Sequence, residues 1–312
     1  MPRRRSILTV LKSSAKCFIE DNAFKLSASL SYYTIFSLGP LLIIIISLAG
    51  AFYGKDAVQG EIYSQINGLV GDQAALQIQQ IIKNIQQTEQ GPLAAIIGVV
   101  VLVIGATGAF IEMQDSINYI WSVKAKPTKG WLKFLVNRLL SFSLIVSMGF
   151  ILLVSLIVSA LVELLNRQLT SYFEDYTVYL IYIINIAVVL LVISALFAVI
   201  FKLLPDARIR WKDAFVGAMF TAVLFLIGKF AIGFYLGKAN LGITYGAATS
   251  IVVILTWVYY SALILYFGAE FTKMNALLRG GGIRPTSTSV FIIKKEVSEL
   301  PDGLRHPDDI AG

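Results

Sequence analysis

Residues 214–236 read AFVGAMFTAVLFLIGKFAIGFYL, a run of 23 residues with a single charge, Lys229. About 20 such residues wound as an α-helix match the hydrocarbon thickness of a bilayer, so the run predicts a membrane-spanning helix. Lys229 is its sixteenth residue and has two readings. An ammonium ion in hydrocarbon costs several kcal/mol, so it either snorkels toward the Leu236 end, roughly 10 Å away, or faces a bundle interior or aqueous cavity where it serves a substrate. Glycines 217, 228, 233 and 237 favour close helix packing in both cases.

Five further stretches repeat the pattern, at about 35–53, 93–111, 139–165, 177–204 and 249–271. With only 14% charged residues in 312 and a mean hydropathy of +0.75, the composition excludes an ordinary soluble domain. The predicted fold is all-α: a polytopic bundle of six transmembrane helices filling 25–273. A cytoplasmic amphipathic segment (1–24) precedes it and a flexible cytoplasmic tail (274–312), opened by Gly280, Gly281 and Gly282, follows it. The first long apolar run begins only near Ile35, too far from Arg3, Arg4 and Arg5 for a cleaved signal peptide, so the first span reads as an uncleaved anchor.

Basic residues set the orientation. Six Lys/Arg lie at or before Lys25, five in 122–138, four in 202–212 and six from Lys273 onward; the opposite side holds only Lys55, Lys83, Arg167 and Lys238. The positive-inside rule places both termini in the cytoplasm, which an even number of spans also requires. The net charge of +7 is thereby explained by topology and anionic headgroups, and no nucleic-acid partner is expected. No internal match between 30–165 and 177–272 supports an inverted repeat.

Outside the spans, Ile7, Leu8, Leu11, Ala15, Phe18 and Ile19 fall on one face of a basic amphipathic helix. It either lies on the cytoplasmic leaflet or docks under the bundle. The glutamine-rich stretch 54–91 carries Ala74, Ile78, Ile81, Ile82 and Ile85 at helical spacing, predicting amphipathic helices on the outer face. The first span's cytoplasmic half is polar, with Tyr32, Tyr33 and serines 27, 29, 31 and 37, which line a cavity or bond neighbouring helices. Glu112 and Asp115 share a face at the second span's end and read as a solvated terminus. Asp213 reads as a helix cap.

Catalytic chemistry is missing. The single histidine, His306, lies in the tail, the single cysteine, Cys17, excludes an intrachain disulfide or multi-cysteine metal site, and no GxxxxGK[ST] loop is present. No enzyme, catalytic residue, metal site or cofactor is expected.

The stretches LSYYTIFSLGPLL, FKLLPDARIRWKDAFVGA and YGAATSIVVILTWVYYSALILYFGAEFTK resemble signatures of the YihY/BrkB family of bacterial inner-membrane proteins, historically labelled ribonuclease BN, from about Asp21 to Lys273. The resemblance implies a six-span inner-membrane protein, treats the nuclease label as a misassignment, and links members to serum resistance and envelope lipid traffic without established catalytic residues. The expected function is transport or lipid handling, with a structural scaffold as the alternative. Membrane lipids and an anionic or lipid substrate are the expected partners; a homo-oligomer is left open. Lys229, Glu270, Tyr32, Tyr33 and Tyr260 are the candidate pathway residues: Lys229 for an anionic group, Glu270 for a cation or proton, the tyrosines along the route; the alternative for Glu270, near the inner helix end, is a simple pair with a cytoplasmic lysine or arginine.

Overall fold

The computed structural model describes residues 6–37, 75–80, 83, 108–126, 176–239 and 244–294. Helix α1 (Ile7–Glu20) is capped by Ser6, whose hydroxyl accepts from the Leu8 amide at 3.3 Å. It ends at Asp21 and Asn22, the latter at φ 53°, a left-handed conformation asparagine tolerates. Residues 23–37 (α2) and 108–120 (α3) are helical, followed by the long helices α4 (Tyr176–Leu203), α5 (Trp211–Lys238) and α6 (Thr249–Leu278). Pro205 stands just past the end of α4, where it cannot continue a helix.

Among the described residues, three helices are long and apolar enough to cross a membrane: the Ile186–Leu203 part of α4, and α5 and α6 along their lengths. Only about a third of the first two windows and 39% of the third is buried within the protein, leaving outward apolar surface for lipid. They coincide with the expected spans at 177–204, 214–236 and 249–271, although α6 runs to Leu278. The expected spans at 35–53, 93–111 and 139–165 lie outside the described residues apart from 35–37 and 108–111, which are helical. Of the outer amphipathic stretch only 75–80 and 83 are described, as helix, with Gln77 Oε1 accepting from Ser250 at the start of α6.

Helices α5 and α6 run antiparallel and interlock through two reciprocal notches. A Cβ on Gly217 would overlap Thr272, and one on Gly268 would overlap Thr221. Each threonine hydroxyl is satisfied in its own helix, Thr221 donating to Gly217 O and Thr272 to Gly268 O, both at 2.7 Å. Three serines of α2 do likewise: Ser27 and Ser31 donate to Ala23 O and Ala28 O, and Ser37 to Thr34 O.

The end of the molecule near Leu278 holds the main core, around Trp121, Phe201, Tyr266, Ile117 and Ile120. Trp121 is only 2% exposed and donates its indole N–H to Ala269 O at 3.1 Å. Two short antiparallel ribbons close this end, a departure from the all-α expectation. Strand β1 (Val123–Ala125) pairs with β4 (Ser289–Phe291), and β2 (Ala207–Arg208) with β3 (Arg284–Pro285).

The segment expected to be a flexible tail from 274 is therefore folded through 294. The glycine run follows from contact: a Cβ at Gly280 would strike the Asp213 carboxylate and one at Gly281 the Arg210 side chain. Asp213 does not cap α5. It sits in the first turn and spends its carboxylate on Arg210 Nε, at 3.0 Å, and the Gly281 amide, at 3.4 Å.

Candidate functional site

The last turns of α6 carry Glu270 and Lys273 three residues apart, hence on one face. Both are buried, and Lys273 Nζ lies 2.7 Å from Glu270 Oε2. The same ammonium reaches Asp21 Oδ2 at 3.2 Å and donates to Ile120 O at 2.8 Å. One ammonium thus bridges two carboxyl groups and a backbone carbonyl, through two hydrogen bonds and one ion pair. The Ile120 carbonyl is available because α3 ends there, and a helix C-terminus leaves its last carbonyls unpaired and partly negative.

Asp21 is positioned by the end of α1, where its own amide donates to Cys17 O. Its second oxygen, Oδ1, accepts from Lys294 at 2.7 Å, and that ammonium stands 3.8 Å from the centre of the Tyr119 ring. Lys294 is brought there by the β1–β4 pairing, which continues through the Ile292 amide donating to Ser122 O at 2.9 Å. Burial raises the Asp21 carboxyl, but the Lys294 hydrogen bond, the neighbouring Glu270 carboxyl and the Lys273 charge outweigh it and hold the group below the ordinary carboxylate range. Two carboxyl groups and two lysines form a quartet that joins α1, α6 and the segment after β4 against the end of α3. Neither Glu270 oxygen makes a hydrogen bond of good geometry among the described residues, so the Lys273 contact is an ion pair only.

Beside the quartet opens a cavity of about 670 Å³, walled by Leu26, Glu112, Asp115, Asn118, Tyr119 and Ile292, among others. Tyr119 is shared: the residue that carries Lys294 on its ring also lines the cavity. Burial raises the Asp115 carboxyl, and the negative charges of Glu112 and Asp206 raise it further. The two acids are thus a cavity wall as well as a helix terminus. Behind them Asn118 makes a two-point bond with Asp206, donating to Oδ2 at 2.9 Å and accepting from its amide at 2.8 Å.

The five residues singled out in the sequence do not converge. Lys229 and Tyr260 meet in a crevice with Phe225, Trp257 and Ile264 that is too narrow for a water molecule. Glu270 lies ten residues from Tyr260 along α6, roughly 15 Å at helical rise. Tyr32 and Tyr33 stand on exposed α2 surface, 58% and 40% accessible, with Tyr33 packed over Gly108. Missed from sequence were Asp21, Lys273 and Lys294. The only local signal was the Glu270–Lys273 spacing; nothing local pairs residues 252 or 273 positions apart.

Membrane-length apolar helices, closed at one end by a buried ion cluster, define an integral membrane protein of the helical type. The chain belongs to the Virulence factor BrkB family, whose model matches residues 15–286. That match includes Asp21, Glu270 and Lys273, and extends past the Asp21–Lys273 limits of the resemblance in sequence. The UPF0761 membrane protein RSc1559 of Ralstonia nicotianae is 28% identical over 271 residues, covering 84% of this chain and 57% of the relative. A UPF0761 membrane protein of Verminephrobacter eiseniae is 26% identical over 306 residues, 96% of this chain and 70% of that one. RC1_0578 of Rhodospirillum centenum is 28% identical over 283 residues, 88% and 59% respectively. The chain spans little more than half the length of the first of these. No solved structure matches.

Proposed function

We propose that this chain is a six-span protein of the bacterial inner membrane, both termini cytoplasmic, that binds and moves a lipid or another envelope component without covalent catalysis. The observation that carries the reading is a quartet of ionisable side chains, three of them buried, beside a cavity of about 670 Å³ at one end of apolar helices. Ionisable groups buried at such helices are costly and are retained where charge is moved or recognised. The basic residues clustered at that same end support its cytoplasmic placement. Glu270, with no good hydrogen bond, accepts a proton or cation when the quartet opens; Lys229, beside Tyr260, meets an anionic group partway along, and Tyr32 and Tyr33 lie on the approach. The crevice at Lys229 must widen for that step.

A second reading is favoured by the quartet's own geometry. It clamps segments more than 250 residues apart, as a structural scaffold would require. Native mass spectrometry of protein released from lipid nanodiscs separates the two. The expected result is a defined copurifying lipid or metabolite in the wild type that is lost in Lys229→Ala, a position outside the quartet, while that variant stays folded. Identical annular lipids in both proteins would remove the transport reading and leave the scaffold.

A further inference from the structure

Helix α1 has three faces. One, formed by Val10, Ser14 and Phe18, is buried against α6. The sequence pattern placed Ile7, Leu8, Leu11, Ala15 and Ile19 on the face with Phe18, yet Leu8 and Ile19 are each 67% exposed and Ile7 60%. On a helical projection Leu8, Ala15 and Ile19 form a strip next to the docked face, and Lys12 and Lys16 flank that strip on its far side. The apolar surface is continuous with a membrane-length helix: exposed Phe24 packs edge-on against Phe18 at 5.3 Å, and Phe18 against Phe267 of α6 at 5.5 Å.

An exposed apolar strip bordered by lysines, on a helix fastened to the end of a spanning helix, fits one environment: the boundary of an anionic bilayer. Acyl chains there meet the strip and phosphate groups meet the ammonium ions. We propose that α1 lies in the headgroup plane of an anionic leaflet, with Leu8 and Ile19 in the acyl boundary and Lys12 and Lys16 on lipid phosphates. The quartet, through Asp21, fixes its depth. This rests on the membrane placement argued above, and it makes anionic phospholipid a specific partner of this surface.

The test uses the full chain in nanodiscs of phosphatidylcholine, with and without phosphatidylglycerol. In a Cys17→Ser background, Leu8→Cys, Ile19→Cys, Lys16→Cys and, on α5, Phe230→Cys are labelled with an environment-sensitive fluorophore. Labels at 8 and 19 should be quenched several-fold more by a shallow lipid nitroxide than by aqueous iodide, and the label at 16 the reverse. Phosphatidylglycerol should also slow trypsin cleavage of the unsubstituted protein after Lys12 and Lys16, a readout that needs no folded variant. Iodide quenching at 8 and 19 would show a strip in water, and protection from both quenchers a strip covered by protein or a second copy. Either result overturns the proposal, as does cleavage indifferent to phosphatidylglycerol. A label at 230 that a deep nitroxide fails to quench would instead overturn the membrane placement itself.

Discussion

Lys273 is the residue on which the charged end depends, because its ammonium contacts partners from α1, the end of α3 and its own helix. Removing one member of a buried ion cluster strands the others, a loss of about 3–5 kcal/mol. Lys273→Met should therefore lower the thermal midpoint in detergent strongly. Lys294→Met should cost less, since that side chain keeps 24% of its surface in solvent. Asp21 adds a pH signature. A carboxyl held below its ordinary value stabilises fully above the unfolded pKa, about 3.9, and loses that contribution as pH falls through the folded value. The midpoint difference between wild type and Asp21→Asn should stay constant from neutrality down to about pH 5 and shrink in stronger acid. A constant difference at all pH values would mean that packing, not charge, accounts for Asp21.

Among the elements, the α5–α6 pair is held by shape. Gly217 and Thr221 on one helix face Thr272 and Gly268 on the other, and each glycine is the notch for the opposite threonine. Small residues let backbones approach in lipid, where apolar area alone does not drive association. Gly217→Ala should destabilise by about 1–3 kcal/mol through overpacking. Thr272→Ala in the same chain should recover part of that loss, because the hydroxyl is the atom in closest conflict, although the residue-272 Cβ remains near. Measured in a double-mutant cycle, additive losses would show that the two positions do not touch. Glycine spacing was visible in the sequence; which threonine fills which notch depends on the relative rotation of two helices with no amphipathic face to set it.

At the scale of the molecule, the chain after α6 belongs to the fold. One strand of each ribbon, Gly281 with its bond to Asp213, and Lys294 all lie beyond Arg279. A chain ended after Lys294 retains every one of these, and one ended after Arg279 loses them together. The shorter chain should melt markedly lower in detergent than the longer one. Equal midpoints would show that the segment 280–294 merely rests on the surface. A truncation meant to test partner recruitment must for this reason begin beyond Lys294, because removing 280–312 confounds recruitment with unfolding.

Hydropathy and segment length were enough to locate α4, α5 and α6 and to mark the chain as a membrane protein, because a long uncharged run has few ways to satisfy its backbone outside a lipid-spanning helix. Periodicity recognised α1 as amphipathic but not that its apolar residues would be divided: docking on α6 takes Val10, Ser14 and Phe18 and leaves Leu8 and Ile19 outside. Lys229 drew attention because a charge inside an apolar run is a local anomaly. The quartet was not legible as a unit: Glu270 stood out alone, while Asp21, Lys273 and Lys294, read locally, are ordinary charges at a helix end or in a tail. Its meaning arises only when folding brings Asp21, Glu270, Lys273 and Lys294 within ion-pair distance of one another across the length of the chain. Composition and periodicity are properties of short windows; the balance of buried charge is a property of the assembled fold.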